Sequence, residues 1–304
     1  MPLDPHQLAA LSAVLRLGSF DAAAAALRVT PSAVSQRIKA LEENVGTTLV
    51  HRGQPCTGTE TGARLARHAE DVALLEAQAL AGVAGRNETA PRVSLAVPAD
   101  SLATWLIPAL AQVEGLLFDL VLDDQDTSDD WLRRGEVNAA VTGHARAAPG
   151  CDVHPLGSLR YVATASPDFM ARYFGGGFSL DALAAAPLLV FNPKDRLQHR
   201  WAEARGARRF HPPVHHLPSS HGFADAALCG LGWGMNPLAL VADHLARGAL
   251  VPLVPDAPLD VPLFWQVTRV MAPALKPLTD AVRKNASWCL RPASGTPMSQ
   301  KVHK

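Results

Sequence analysis

The chain of 304 residues nowhere runs eighteen apolar residues together, so the sequence offers no candidate membrane span. Its opening, "MPLDPHQLAALSAVLRLGS", has no basic segment ahead of an apolar stretch and no small-residue cleavage site, which predicts a cytoplasmic protein that touches no membrane. Cysteine is scarce. Cys56, Cys151, Cys229 and Cys289 lie far apart without a Cys-x-x-Cys pair, so neither a disulfide framework nor a zinc knuckle is encoded and reduced thiols are expected. The net charge is zero, which excludes binding to a polyanion through the whole surface and leaves any nucleic-acid contact to local charge. Signatures of catalysis are missing: no Gly-x-Ser-x-Gly elbow, no Gly-rich phosphate loop, no His-Glu-x-x-His. The glycines of "GLGWG" precede a strand instead of following one, and read as a tight helix-to-strand turn. His211, His215, His216 and His221 cluster in sequence, but no cysteine or paired acid completes a recognised metal spacing. No catalytic residue, metal or other cofactor is therefore expected.

What is present separates into regions by pattern. Residues 1–58 read as short helices with tight turns, and 59–91 as a long helix ending in a Gly, Asn, Thr and Pro hinge. Residues 92–292 alternate strands and helices, and the tail 293–304, "ASGTPMSQKVHK", has no packing pattern and is expected to be disordered. No internal repeat of fixed period occurs. At 48% hydrophobic residues the chain can bury a full core.

In the first region Leu8, Leu11, Val14 and Leu15 recur at helical spacing up to Gly18. Ser19 is placed to cap a helix over 20–27, "FDAAAAAL", whose five consecutive alanines let another helix lie flush against it. Thr30 caps a third helix with Pro31 at its first position, where a missing N–H is no loss. Its apolar face is Ala33, Val34, Ile38 and Leu41, leaving Ser32, Ser35, Gln36, Arg37 and Lys39 on or near the open side. A two-turn helix packed through alanines against a second that starts after a tight turn is a helix-turn-helix, and its second helix enters the major groove of double-stranded DNA. There Gln reads adenine, Arg reads guanine or holds phosphate, and free N–H groups at the helix start accept a phosphate. The β-branched residues around Val50 and the turn residues after them fit a short wing, with His51 and Arg52 against the DNA backbone. An ordinary helical hairpin in an enzyme's cap remains open on these features alone.

The long helix from Glu60 to about Val83, capped by Thr59, spans roughly 36 Å at 1.5 Å per residue. Leu65, Val72 and Ala79 lie seven apart and form an imperfect heptad seam for a second copy of the chain, the competing reading being packing on its own domain. From Arg92 the alternation of strand and helix implies parallel sheets with helices on both faces, and two such sets in series imply two lobes and a cleft. Lobe I takes about 92–163 and 266–292, lobe II about 164–265. Ligands collect beyond the carboxyl ends of such strands. Falling there are "PADSL", "DDQDT", "TGH", "FNPKD" and "PSSHGF", which supply Ser101, Leu102, Asp123, Asp124, Thr142, Ser219 and Ser220 as candidate effector contacts. A helix start at Ser101 and Leu102 suits a carboxylate, and crowded acids suit a cation. Together they match an amino acid, best a basic one, unless the acids are a solvated turn.

The stretch "FDAAAAALRVTPSAVSQRIKALEENVGTTLVHR" resembles the winged helix-turn-helix of LysR-type transcriptional regulators. The likeness in order and length extends to about residue 292, and "SLAVPADSLATWLIPAL", "RRGEVNAAVTG" and "VHRGQPCTGTETG" resemble the lysine/arginine export regulators of the ArgP/LysG/IciA type. Leu49-Val50-His51-Arg52 replaces the usual Leu-Phe-x-Arg, and Gly58-Thr59 the usual Leu-Thr, departures that agree with this subgroup. The resemblance implies an α/β fold class: an N-terminal winged helix-turn-helix, a long linker helix and a two-lobed effector domain similar to type 2 periplasmic binding proteins. It implies homodimers joined by linker helices, often assembled into tetramers, that bind promoter DNA, engage RNA polymerase and activate an exporter gene in response to lysine or arginine. Within it Asp124 falls on an acidic position after the second strand, Ser101 on the helix-start hydroxyl and Ser220 on the second-lobe hydroxyl. Two other readings stay open: the same architecture with another effector, and an enzyme or solute-binding protein whose N-terminal helices only dimerise.

Overall fold

A computed structural model describes residues 2–80, 90–123, 128–208 and 210–292. The expected hinge over 81–89 and the tail from 293 lie outside the described residues. The chain divides into two compact units, Met1–Ser94 with Gly115–Asp119, and Leu95–Glu114 with Leu120–Lys304.

In the first unit α1 (Pro5–Leu17), α2 (Phe20–Leu27) and α3 (Pro31–Val45) close around Leu11, Val14, Ala23, Ala24, Val34, Ile38 and Leu41. Each helix starts on a side-chain oxygen that takes an orphan N–H. Asp4 accepts from His6 and Gln7, Ser19 from Ala22, and Thr30 from Ala33 at 3.2 Å. Ala23 and Ala24 are the buried pair of α2, so the alanine run does admit the close approach that the sequence implies. The wing is β1 (Val50–His51) paired antiparallel with β2 (Thr57–Gly58). It is tied to α1 where the Cys56 N–H donates to the Gly18 carbonyl at 2.8 Å.

Helix α4 (Glu60–Ala79) follows, with the Thr59 hydroxyl accepting from the Gly62 N–H at 3.0 Å. Gly62 is indispensable there, because a Cβ would lie 1.9 Å from the Leu49 carbonyl oxygen. Leu65 and Ala69 pack on the core of this same domain, and the Ser12 hydroxyl donates to Glu70 at 3.2 Å. The start of the expected seam is thus occupied within the chain.

From Arg92 onward the alternation expected from sequence is present, but the main sheet is mixed, not parallel. Its order is β10 (Val251–Pro252), β6 (Cys151–Ala165), β11 (Leu259–Thr268), β5 (Ala139–Thr142), β3 (Arg92–Val97), β4 (Leu117–Leu122), with β9 (Gly234–Pro237) also paired to β6. Strands β3 and β5 are parallel, while β11 runs antiparallel to both β5 and β6. The antiparallel member is β11, which arrives late in the chain and inserts between β5 and β6, so that those two strands run in the same direction without being neighbours. A smaller sheet joins β7 (Leu188–Val190) and β8 (Val214–His216) in parallel. Gly157, at φ 125°, lets the chain pass under Arg291, whose carbonyl would lie 2.5 Å from a Cβ.

Helices cover these sheets. After β3 a helical run begins as α5 (Ala99–Ser101), widens into a π turn over Leu102–Leu106 and continues as α6 (Ile107–Leu110). Pro108 lacks the N–H an α-helix would require, and the widened turn precedes it. The Trp105 carbonyl is satisfied instead by the side-chain amide of Asn285 in α13 (Lys276–Cys289). The remaining helices are α7 (Ser128–Arg133), α8 (Pro167–Phe174), α9 (Leu180–Ala185), α10 (Leu197–Glu203), α11 (Ser220–Leu228) and α12 (Leu238–Ala246). Trp105, Trp201, Trp233 and Trp265 are fully buried anchors of this unit, each removing on the order of 200 Å² from water.

Candidate functional site

Two sets of polar residues have the chemistry of a site. On α3 the exposed positions include Ser32, Gln36 and Lys39, with Ser35 and Arg37 half-buried beside them, and Thr30 is exposed at the cap. His51 and Arg52 are exposed on the wing. The Arg52 guanidinium sits 5.2 Å from the centre of the Phe20 ring at the start of α2, which holds the charge near the helix-turn-helix face. Of the two acids that offset this face in sequence, Glu42 is turned inward. Its carboxylate accepts from the backbone N–H groups of Leu49 at 2.8 Å and Val50 at 3.4 Å, fixing the wing to α3. Glu43 pairs loosely with Lys39 at 3.7 Å. Along α4, Val72 is half-buried and Ala79 exposed.

The second set lines a cleft in the effector unit. Asp100 at the start of α5, Asp123 after β4 and Asp195 before α10 all border it, with Tyr161 of β6, Gln198 of α10 and Ser220 of α11. Phe191, Leu197, Phe223 and Met235 provide its apolar walls, and among the described residues no Lys, Arg or His lines it. The Tyr161 hydroxyl donates to Asp100 Oδ2 at 2.7 Å. Burial holds the Asp100 carboxyl above the usual carboxylate range; the Ser220 and Tyr161 hydroxyls pull it back, and the charge of Asp195 adds to the rise. Asp123 accepts from the Trp131 indole at 2.6 Å. Asp195 accepts from the N–H groups of Phe191 at 3.1 Å and Leu197 at 2.9 Å, which pins the loop before α10.

The candidate contacts read from sequence are distributed unevenly around this cleft. Asp123 and Ser220 line it. Ser101 and Leu102 follow Asp100 on the same helical run, Ser101 fully buried and its hydroxyl without a partner among the described residues. Ser219 is exposed and its hydroxyl caps α11 by accepting from Gly222 at 3.1 Å. Thr142 is fully buried: its hydroxyl donates to the His144 carbonyl and accepts from Gln266, which also holds the carbonyl of Arg146 and the N–H of Ala148. Asp124 lies outside the described residues. Asp100, Tyr161, Asp195 and Gln198 were not singled out from sequence, although Asp100 and Asp195 sit in the strand-end segments "PADSL" and "FNPKD". The four clustered histidines are exposed, and no group of three or more His, Cys, Asp or Glu residues able to hold a metal occurs among the described residues. No helix among the described residues is long and apolar enough to cross a membrane.

A helix-turn-helix with a wing, joined to an α/β unit with a polar cleft, defines a ligand-responsive DNA-binding regulator. Residues 5–63 match the family model "Bacterial regulatory helix-turn-helix protein, lysR family" and residues 86–287 match "LysR substrate binding domain". The chain therefore belongs to the LysR family of transcriptional regulators, which act by binding DNA and a small-molecule effector and are not enzymes. It is similar to the HTH-type transcriptional regulator LysG of Mycobacterium tuberculosis, 47% identical over 290 residues that cover 95% of each chain. It is also similar to the lysine export transcriptional regulatory protein LysG of Corynebacterium glutamicum, 41% identical over 95% of this chain and 100% of that one. Among solved structures, full-length LysG from Corynebacterium glutamicum with bound effector Arg superposes at a TM-score of 0.65 with 38% identity, covering 95% of this chain and all of that one.

Proposed function

We propose that this regulator senses lysine or arginine in the cleft and in response activates transcription of an amino-acid exporter gene. The observation that carries the reading is the charge of the cleft: three carboxylates, Asp100, Asp123 and Asp195, and no cationic residue in the lining. A neutral ligand would leave that charge uncompensated, and an acidic one would add to it. A basic amino acid brings two cations for one anion. The anion is taken at the start of α11, where the nine-residue helix offers N–H groups and Ser220 lines the cleft. Ser101 and Asp124, as read from sequence, serve the carboxylate and the cationic end respectively. The Corynebacterium relatives support the reading, one by its name and one by its bound Arg.

At the DNA, Gln36 and Ser35 read base edges, Arg37 and Lys39 hold the duplex, and Ser32, Thr30, His51 and Arg52 contact phosphate. The protein works in the cytoplasm as a homodimer paired along α4 through Val72 and Ala79, assembling further to a tetramer and engaging RNA polymerase at the promoter. The domain limits read from sequence, 1–58, 59–91 and 92–292, belong to the same proposal. A thermal-shift comparison tests the effector: lysine and arginine should raise the melting temperature of the full chain, and their neutral counterparts norleucine and citrulline should not. Equal shifts from lysine and norleucine would refute it.

A further inference from the structure

Gln198 stands at the second position of α10, 1% exposed and bordering the cleft. Its side-chain oxygen accepts no hydrogen bond among the described residues. Buried amide oxygens are satisfied in most folded proteins, because leaving one without a donor forfeits its hydration for nothing. Nor can the backbone relax to find one. Ahead of Gln198 the Leu197 N–H is held by Asp195 at 2.9 Å. Behind it the Trp201 indole donates to the Ala257 carbonyl at 2.8 Å, with the Arg205 guanidinium stacked 3.8 Å over the ring. The acceptor is therefore preorganised in a cleft whose charged groups are all anionic, and the donor that fits both conditions is an N–H of a cation.

We infer that the side-chain oxygen of Gln198 accepts a hydrogen bond from the cationic group of the effector and helps select basic over neutral amino acids. This rests on the lysine or arginine reading above. An aliphatic end in place of the cation would leave the oxygen unpaired, and a carboxylate or amide oxygen would set acceptor against acceptor. Discrimination of this kind is large because the penalty falls on the wrong ligand.

Calorimetry of the full chain with L-lysine and L-arginine, on the parent, Gln198→Met and Gln198→Glu, together with the melting temperature of each unliganded protein, tests the inference. Methionine keeps the volume and removes the acceptor. Its dissociation constants should rise at least tenfold for both amino acids while the unliganded melting temperature stays level or rises, since the oxygen removed accepts no hydrogen bond among the described residues. Glutamate supplies acceptors again and should bring affinity back to within a few-fold of the parent. Parental affinity in Gln198→Met, a loss that Gln198→Glu does not restore, or a lowered melting temperature of unliganded Gln198→Met would each overturn it. A parent that binds neither amino acid would overturn the effector reading first, and the inference with it.

Discussion

The open face of α3 and the acidic cleft treat their polar groups in opposite ways. On α3 the serines, glutamine and lysine are bathed in water or paired at the surface, so the unbound face carries little strain and is finished before any partner arrives. In the cleft, burial raises the charging cost of Asp100 and the charge of Asp195 adds to it, and the Gln198 oxygen goes without a partner among the described residues. That arrangement is a standing cost which a complementary ligand removes, so the ligand's binding energy is drawn from the receptor's own instability. The difference matches the two tasks: one surface must be ready to scan DNA, the other must change when its effector is present.

The largest effect is expected where the two regions are mechanically separable. Gly62→Ala drives a Cβ into the Leu49 carbonyl, which should destabilise the winged domain by roughly 3 kcal/mol and weaken DNA binding, while lysine binding in the effector unit persists. Denaturant unfolding followed on both activities checks this, and an unchanged midpoint would mean the helix start is not pressed on the wing. In the cleft, Asp123→Asn keeps the shape and can keep the Trp131 contact but removes a charge. Lysine and arginine should lose about 1.5–3 kcal/mol and norleucine little, by calorimetry. Uniform losses across ligands would point to a packing defect instead.

On the DNA face the expected changes are of similar or smaller size but of a different kind. Gln36→Ala should cost about 1–3 kcal/mol at one base position and relax the preference there. Arg52→Ala should weaken all sequences alike and flatten the salt dependence by about one unit. Electrophoretic titration against operator variants at several salt concentrations separates the two, and identical behaviour of both variants would break the division of roles.

The same contrast decides how much was legible in the sequence. The helix-turn-helix is local, so Ser19 and Thr30 as caps, the alanine run and the apolar positions of α3 could be read from neighbours a few residues apart, and α2 falls where the pattern puts it. Glu42 is not legible in the same way, because nothing in the sequence shows that the wing's N–H groups fold back onto it. In the effector unit, strand β6 runs through Pro155 and Gly157, residues that disfavour a strand interior, because it pairs with β11 along its length. The parallel sheets inferred from alternation give way to a mixed sheet because β11, late in the chain, inserts antiparallel between β5 and β6, a placement that local pattern does not show. Cleft residues 100, 123, 161, 195, 198 and 220 lie apart in the sequence and meet only in the folded unit. Strand-end segments containing Asp100, Asp195 and Ser220 could be named, but whether Thr142 points to a ligand or into the Gln266 network is a matter of packing.

The central claim is that the cleft holds a cation against Asp100, whose buried carboxyl resists charging without it. Burial raises the Asp100 pKa in the free protein, so between its ordinary and its raised value the folded chain keeps a proton that the unfolded chain has lost. That contribution to stability is full below the ordinary value and fades as pH rises through the raised one. A bound cation favours the carboxylate and expels the proton. Calorimetry of lysine binding to the full chain from pH 5 to pH 8, in buffers of different ionisation enthalpy, reads this directly. Affinity should rise with pH as protons are released on binding, and Asp100→Asn should bind more weakly with both effects reduced. Affinity independent of pH in the parent, or proton uptake on binding, would contradict the account.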